Sequence, residues 1–546
     1  MSATAHLRVE LESGERREIL SPRDRRSVAD ILANGGLPLN TRCGQRGLCR
    51  GCEIELREGS LESNGKLITA PCLIQACQAH VTGPVSLYIP ARSREEHRPQ
   101  VCDAFEIAIP YAHQPLFNTA PGLQDTAFVV DIGTTTVVVL LVDLVTGAML
   151  SRTSGFNEQI RFGDNVVTRI EAARDPRVLA EMQHAIVMET ICPLLIRACE
   201  LAGRSLQRIA GGAVAGNTTM LHILVGEDPT PLGIAPFTPR FINARTVCAA
   251  DLHLNSADLS PELPIQLLPG IAAYIGSDIV AGIVASGIAY DAAPSLLIDV
   301  GTNGEMVLQN NGRLTACATA AGPAFEGCGL SCGSRAREGA VSDLHLTLHP
   351  FAIDATTIGN TPLSRANGLC GSAYVDFLAT ARSSGLLSAT GRLNAAEWEN
   401  IPAQFRVDNK GKHSLRLTGE NGAGGLKISE VDVALLLQAK AAIGAGIEIL
   451  LEEAGICASD LGNVYLAGGF GMHLNVSHAI AIGILPHVRE EQVRVVGNTS
   501  LAGVFLALVD HALLEEMKSL QNLVTVVELN LVGGFEERYV EHLMLP

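Results

Sequence analysis

The sequence predicts a multidomain protein of mixed α+β and α/β class, in which a small β-rich N-terminal unit precedes a larger α/β body of two similar lobes. Three observations predict it. Four cysteines, Cys43, Cys49, Cys52 and Cys77, are spaced C-x5-C-x2-C-x24-C near the start of the chain. A strand–Asp-x-Gly-Thr–strand pattern occurs twice, at Asp131 and again at Asp299. The composition is 47% hydrophobic and 18% charged, with 54 glycines in 546 residues, which is that of a compact chain rich in tight turns.

The N-terminal unit reads as residues 1–92. Leu7-Arg8-Val9-Glu10-Leu11 alternates, Ser13-Gly14 turns, and Arg17-Glu18-Ile19-Leu20 returns, which predicts a hairpin. A short helix follows over 27–32, then the cysteine loop, a strand over 53–56 and a closing strand over 85–89. That order is the order of a β-grasp ferredoxin. Gly44, Gly47 and Gly51 let the loop turn tightly around Cys43, Cys49 and Cys52. Three thiolates on one loop and a fourth from a distant segment are how an iron–sulfur cluster is held. Zinc ribbons use two paired C-x2-C knuckles, and this segment has one. For the fourth ligand Cys77, in Gln75-Ala76-Cys77-Gln78, is preferred to Cys72, which reads as a spare small hydrophobe. Arg42, Arg46 and Arg50 ring the loop and read equally as a dock for an acidic donor or as solvated arginines.

Residues 93–125 are rich in Arg, Pro and His and read as a linker. Residues 126–546 form the body, with lobes at about 126–292 and 293–546. Helices fall between and after the two Asp-x-Gly-Thr turns, for example over 430–454, opened by Ser429 and ended at Gly455.

The net charge is −17, and the first 92 residues carry +2, so the remainder carries −19. That balance argues against non-specific nucleic-acid binding. No secretory h-region and no uninterrupted apolar run of about 18 residues is found, so neither export nor a membrane span is expected. Fourteen cysteines then point to a reducing cytoplasm and to metal or redox roles.

A phosphate chain needs backbone N–H donors in a tight turn, hydroxyls nearby, and a carboxylate to hold Mg²⁺ through water. Asp131-Ile132-Gly133-Thr134-Thr135-Thr136 offers all three, and Asp299-Val300-Gly301-Thr302-Asn303-Gly304-Glu305 offers them again. Ala467-Gly468-Gly469-Phe470-Gly471 ends a strand in small residues against which a nucleoside can lie flat. Gly216-Asn217-Thr218-Thr219-Met220 reads as a nucleotide contact or a helix cap, and Gly322-Pro323-Ala324-Phe325-Glu326-Gly327 as a functional carboxylate loop or a lobe connection. No P-loop is present.

Two phosphate turns and one adenosine turn resemble the actin-like (ribonuclease H-like) superfamily of sugar and acetate kinases and chaperone ATPases. With the cysteine loop ahead of them, these motifs resemble, over nearly the whole chain, the ATP-dependent reductive activators of corrinoid proteins. Longer members of that family carry an extra domain before the first phosphate turn, which here follows the linker closely. The resemblance implies a [2Fe–2S] cluster on Cys43, Cys49, Cys52 and Cys77, and ATP with Mg²⁺ in the body. It implies catalytic roles for Asp131, Asp299 and Glu326. Nucleotide contacts would come from Gly133, Thr134, Thr135, Thr136, Gly216, Asn217, Thr218, Gly301, Thr302, Asn303, Gly304, Gly322, Gly468, Gly469 and Phe470. The implied function is one-electron reduction of a partner's Co(II) corrinoid to Co(I) for methyl transfer. A low-potential ferredoxin, flavodoxin or reductase would supply the electron, and a homodimer is left open. No second cluster is expected from Cys317, Cys328, Cys332, Cys370 and Cys457, which read as mostly buried thiols.

Three other functions compete: a small-molecule kinase with a redox sensor, an activator of another low-potential metalloenzyme, and an electron carrier on a degenerate ATPase fold. A kinase needs a substrate pocket with its own acid–base residue, and none is evident in the sequence. The intact Asp and Gly-Thr positions argue against degeneracy.

Overall fold

The computed structural model describes residues 4–11, 14–22, 26–39, 41, 45, 52–63, 65–90, 93–94, 104–120, 122–256, 258–327, 329–409, 412–418 and 425–546. Cys43, Cys49, Cys328 and the three loop arginines lie outside these.

The N-terminal unit is a five-stranded sheet in the order Arg16–Pro22, Thr4–Leu11, Val85–Ile89, Glu53–Glu58, Cys72–Gln75. Its hairpin is antiparallel, but the first and closing strands pair in parallel, Leu7 opposite Val85. Such a parallel pair needs a crossover, and the helix Val28–Asn34 supplies it. Ser27 caps that helix in a reciprocal pair with Asp30, and Val28, Ala29, Ile31 and Leu32 are its buried residues. The alternating residues Leu7, Val9 and Leu11 close the core with Ile54, Leu56, Leu87 and Ile89.

The body is built on two six-stranded sheets of matching plan. The first runs Met149–Phe156, Thr136–Asp143, Thr126–Ile132, Ile209–Gly216, Pro264–Leu267, Arg245–Cys248. The second contains Arg313–Thr319, Gly304–Asn310, Ser295–Val300, Asn463–Ala467 and Val493–Gly497 in that order, with Val524–Val526 at its edge. In each, an antiparallel hairpin pairs in parallel with a later strand, Thr126–Ile132 with Ile209–Gly216 and Ser295–Val300 with Asn463–Ala467.

Strand periodicity decides which way the motif side chains point. Phe128, Val130 and Ile132 face one lobe's outer core, whereas Ala127 and Val129 face a core shared by both lobes. Leu296, Ile298 and Val300 face outward in the second lobe, and Leu297 faces the shared core. Asp131 and Asp299 continue the odd-numbered set, so both carboxylates emerge on the inner side. Two apolar helices, Ser277–Ser286 and Thr499–Val509, fill that shared core. They cross so closely that a Cβ on Gly503 would lie 2.3 Å from the Ala281 carbonyl oxygen.

The helix Glu430–Glu453 begins at its Ser429 cap as the sequence predicts, with Asp432 completing a capping box. It is the one described helix long and apolar enough to cross a membrane, and 78% of its apolar window is buried inside the protein. The described part of the predicted linker is an extended strap on the body. Its amides at Glu106, Ala108, Gln114 and Leu116 donate to the carbonyls of Val496, Ala285, Val509 and Leu508, and both Phe105 and Tyr111 pack on the ring of Phe505.

Candidate functional site: an interlobe cleft and a paired-cysteine corner

The two Asp-x-Gly-Thr turns face each other across a cleft of about 670 Å³. Each is closed by a short backbone bond, Gly133 N–H to Thr136 O and Gly301 N–H to Asn303 O, both at 2.9 Å. Thr135 Oγ1 and Thr302 Oγ1 stand 3.4 Å apart, and both donate to Glu326 Oε2, at 3.4 and 3.3 Å. The first turn is braced from behind. Asn157 donates to Gly133 O at 2.9 Å, and the fully buried Arg169 donates to Thr134 O, to Gly163 O and to Gln159 Oε1. Asn217 caps the helix Thr218–Leu224 and donates to Thr134 Oγ1 at 3.0 Å.

The floor of the cleft is acidic. Asp131, Asp278, Asp299, Glu305 and Glu326 all line it. Burial pushes Asp278 and Asp299 up to about 7, with the charge of neighbouring carboxylates adding to the shift. Burial also raises Asp131 and carries Glu305 well above the usual carboxylate range. Asp131 is held by two donors, Asn498 Nδ2 to its Oδ2 and Ser500 Oγ to its Oδ1, each at 2.7 Å. Among the described residues no three metal-ligating side chains converge on one point. The charge of a divalent cation at this floor would reverse the upward shifts.

The far end is formed by Gly468, Gly469 and Phe470, with Phe325 stacked on Phe470 at a centroid separation of 5.0 Å. Gly468 is required here, because its φ is +87° and a Cβ would lie 2.7 Å from Asp299 Oδ1. Ser334, Arg335, Cys370 and Ser372 complete this wall.

The cleft therefore gathers Asp131, Gly133, Thr134, Thr135, Thr136, Asn217, Asp299, Gly301, Thr302, Asn303, Glu326, Gly468, Gly469 and Phe470, all singled out in the sequence. It does not gather Gly216, Thr218, Gly304 or Gly322. Gly216 exchanges 3.0 Å backbone bonds with Ser277 Oγ, Thr218 donates to Ala272 O, and Gly304 packs under Ile443. Gly216, Thr218 and Gly304 thus support the surrounding structure without lining the cavity. Sequence reasoning missed Asp278, Asn498, Ser500 and Arg169 and left Glu305 without a role. One signal was available: Gly497-Asn498-Thr499-Ser500 repeats the Gly216-Asn217-Thr218-Thr219 pattern. Of the scattered thiols that are described, Cys317, Cys332 and Cys370 are buried, as expected of most of them, and Cys457 is exposed.

In the N-terminal unit Cys52 and Cys77 are both buried, and Ala76 N–H donates to Cys52 O at 3.1 Å, which joins their two segments. Cys77 lies in the single turn Ala76–Gln78, and the Gln78 amide donates to its Sγ at 3.6 Å. Cys72 sits instead on the strand Cys72–Gln75, opposite Leu56.

Fold and sites define a two-lobed, actin-like ATPase body behind a ferredoxin-type domain, and comparison with known proteins agrees. The model of the 2Fe–2S iron–sulfur cluster binding domain matches residues 11–82, which contain all four cysteines. The RACo middle region matches 126–291, and the C-terminal ASKHA domain of RACo matches 293–546. The chain is thus a 2Fe–2S domain followed by the two RACo regions, and it is homologous to corrinoid activation enzymes. It is 28% identical over 590 aligned residues to the corrinoid activation enzyme RamQ of Eubacterium limosum, covering 95% of this chain and 96% of that one. It is 27% identical to the [Co(II) methylated amine-specific corrinoid protein] reductase of Methanosarcina barkeri, over 68% of each. A solved reductive activator for corrinoid, iron-sulfur protein superposes with a TM-score of 0.70 at 27% identity, covering 99% of this chain and 98% of the other. The matches carry a 2Fe–2S cluster and ATP binding with them and favour reductive activation over the kinase reading.

Proposed function

We propose that this chain is an ATP-dependent reductive activator that returns one electron to the Co(II) corrinoid of a partner protein, restoring Co(I) for methyl transfer. The observation that carries the reading is the joining, in one chain, of buried Cys52 and Cys77 on a β-grasp unit with two phosphate turns closing on one acidic cleft. Cys43, Cys49, Cys52 and Cys77 hold the cluster, which supplies one-electron chemistry when bound. Gly133 to Thr136 and Gly301 to Asn303 bind the phosphates, and Gly468 to Phe470 bind the nucleoside. Asp131 and Asp299 position Mg²⁺ through water, and Glu326 orders the two threonines that face the phosphates. Asp278 stands where it can orient or deprotonate an attacking water.

ATP is needed because the reduction is uphill from a ferredoxin potential of roughly −400 mV, and each ~59 mV of mismatch costs tenfold in a one-electron equilibrium. Closure of the lobes on ATP supplies the difference by favouring one arrangement of activator and partner. The electron source is a low-potential ferredoxin, flavodoxin or reductase, and the setting is the cytoplasm. Under anaerobic conditions a Co(II) corrinoid protein is expected to convert to Co(I), followed by absorbance, only with reductant, MgATP and this protein together. Equal conversion without ATP would refute the coupling.

A further inference from the structure

The chain that leaves the N-terminal unit is next described at Ala104, and Ala104 already lines the nucleotide cleft. Its carbonyl accepts from Asn498 N–H at 3.0 Å. The same Asn498 donates from Nδ2 to Asp131 Oδ2 at 2.7 Å, and its Oδ1 caps the interlobe helix Thr499–Val509 by accepting from Leu501 N–H at 2.8 Å. One side chain and its own backbone thus join three things: the strap from the cluster domain, a carboxylate of the first phosphate turn, and a helix that crosses between the lobes. The strap then follows that helix pair, with Phe105 bridged to Gly497, Ala108 bonded to Ala285 at the end of one interlobe helix, and Leu116 bonded to Leu508 of the other. Gly497 makes the close approach possible. Its φ is +73°, and a Cβ there would lie 2.3 Å from the Ala104 carbonyl oxygen.

We infer that Asn498 is a positioning residue that couples the nucleotide state of the cleft to the strap over 104–116. The inference rests on ATP occupying this cleft. A change in the charge facing Asp131 pulls on Asn498, and a shift of Asn498 moves both the strap's first hydrogen bond and the N-terminus of Thr499–Val509. A free linker would not sense the lobes, whereas the strap over 104–116 is hydrogen-bonded to the elements that must shift when the cleft closes.

The test is hydrogen exchange on the full-length, cluster-loaded protein, with MgATP binding measured in parallel. Saturating MgATP is expected to slow exchange at the Glu106 and Ala108 amides by about tenfold. Phe105→Ala, which loosens the strap at the Phe505 ring away from the cleft, should keep MgATP affinity within about threefold and lose that slowing. Asn498→Asp, which keeps a good helix cap but loses the Nδ2 donor, should lose it too. Gly497→Ala, whose Cβ presses on the Ala104 carbonyl, displaces the strap at its first bond, and the same loss is expected. A wild-type strap whose exchange ignores bound MgATP would overturn the coupling alone, as would variants that keep the full response. A wild-type protein that binds no MgATP would overturn the ATP reading with it.

Discussion

Asp278 carries the most chemical weight of any single residue in the body. It stands half-buried on the cleft floor with Asp131, Asp299 and Glu305, and its carboxyl is raised to about 7, by desolvation first and by the charges of Asp299 and Asp131 next. In a chain without Mg²⁺ such an acid holds its proton to higher pH when folded than when unfolded. Between about pH 4 and 7 the folded state therefore binds more protons, and stability falls as pH rises through that window. The metal-free protein is expected to have a lower Tm at pH 8 than at pH 5. Asp278→Asn should flatten that dependence, while lowering partner-stimulated ATP hydrolysis by about 10²-fold or more if Asp278 acts on the attacking water. A Tm profile unchanged by the substitution would show that this carboxyl does not set the pH dependence.

Arg169 is a second decisive residue, and it acts through packing. Its guanidinium is fully buried and serves the Thr134 and Gly163 carbonyls, Gln159 Oε1 and the Met220 sulfur. Arg169→Met removes the donors and strands those acceptors, each at a cost of about 1–3 kcal/mol. A loss of at least about 2 kcal/mol in urea unfolding is expected, together with weaker ATP binding, because Thr134 loses its support. Arg169→Lys should not restore either property, since one ammonium cannot span the fork of acceptors.

At the level of elements, the crossing of Ser277–Ser286 and Thr499–Val509 holds the two lobes in register. A Cβ on Gly282 would approach Thr499 Oγ1 at 2.9 Å, while one on Gly503 would meet backbone at Ala281, which cannot swing aside as a hydroxyl can. Gly503→Ala is therefore expected to cost about 1–3 kcal/mol as an overpacked core, and Gly282→Ala less, as read by thermal unfolding. The strand elements were legible from sequence because their signal is local: alternation in 7–11, and short continuous apolar runs in 127–130 and 296–298. The strap was not legible. Its residues lack periodicity, and it is held by backbone bonds to Val496, Ala285, Leu508 and Val509 that a sequence does not announce.

For the whole molecule, the arrangement predicts that two distant sites are separable by chemistry. Cys77→Ser is expected to lower the iron and labile sulfide of the anaerobically purified protein from about two of each per chain. Cys72→Ser, on the strand opposite Leu56, should leave both intact. Neither substitution should change MgATP binding. MgATP at one hundred times its Kd should raise stability by about 2.7 kcal/mol in either background.

What the sequence by itself determined were the pieces whose chemistry is written in a few consecutive residues. Asp131 to Thr136, Asp299 to Gly304 and Gly468 to Phe470 each define a turn with its own donors, and a turn needs no distant partner to be recognised. Tertiary structure alone decided which of these meet and what supports them. Asp278 reads in sequence as an ordinary first-turn helix acid, and Asn498 as an ordinary cap. They become part of the site only because the even–odd register of two sheets turns Asp131 and Asp299 inward and two glycine-bearing helices bring the lobes close enough for the carboxylates to feel one another's charge. Long-range packing sets those distances, and distance sets the electrostatics.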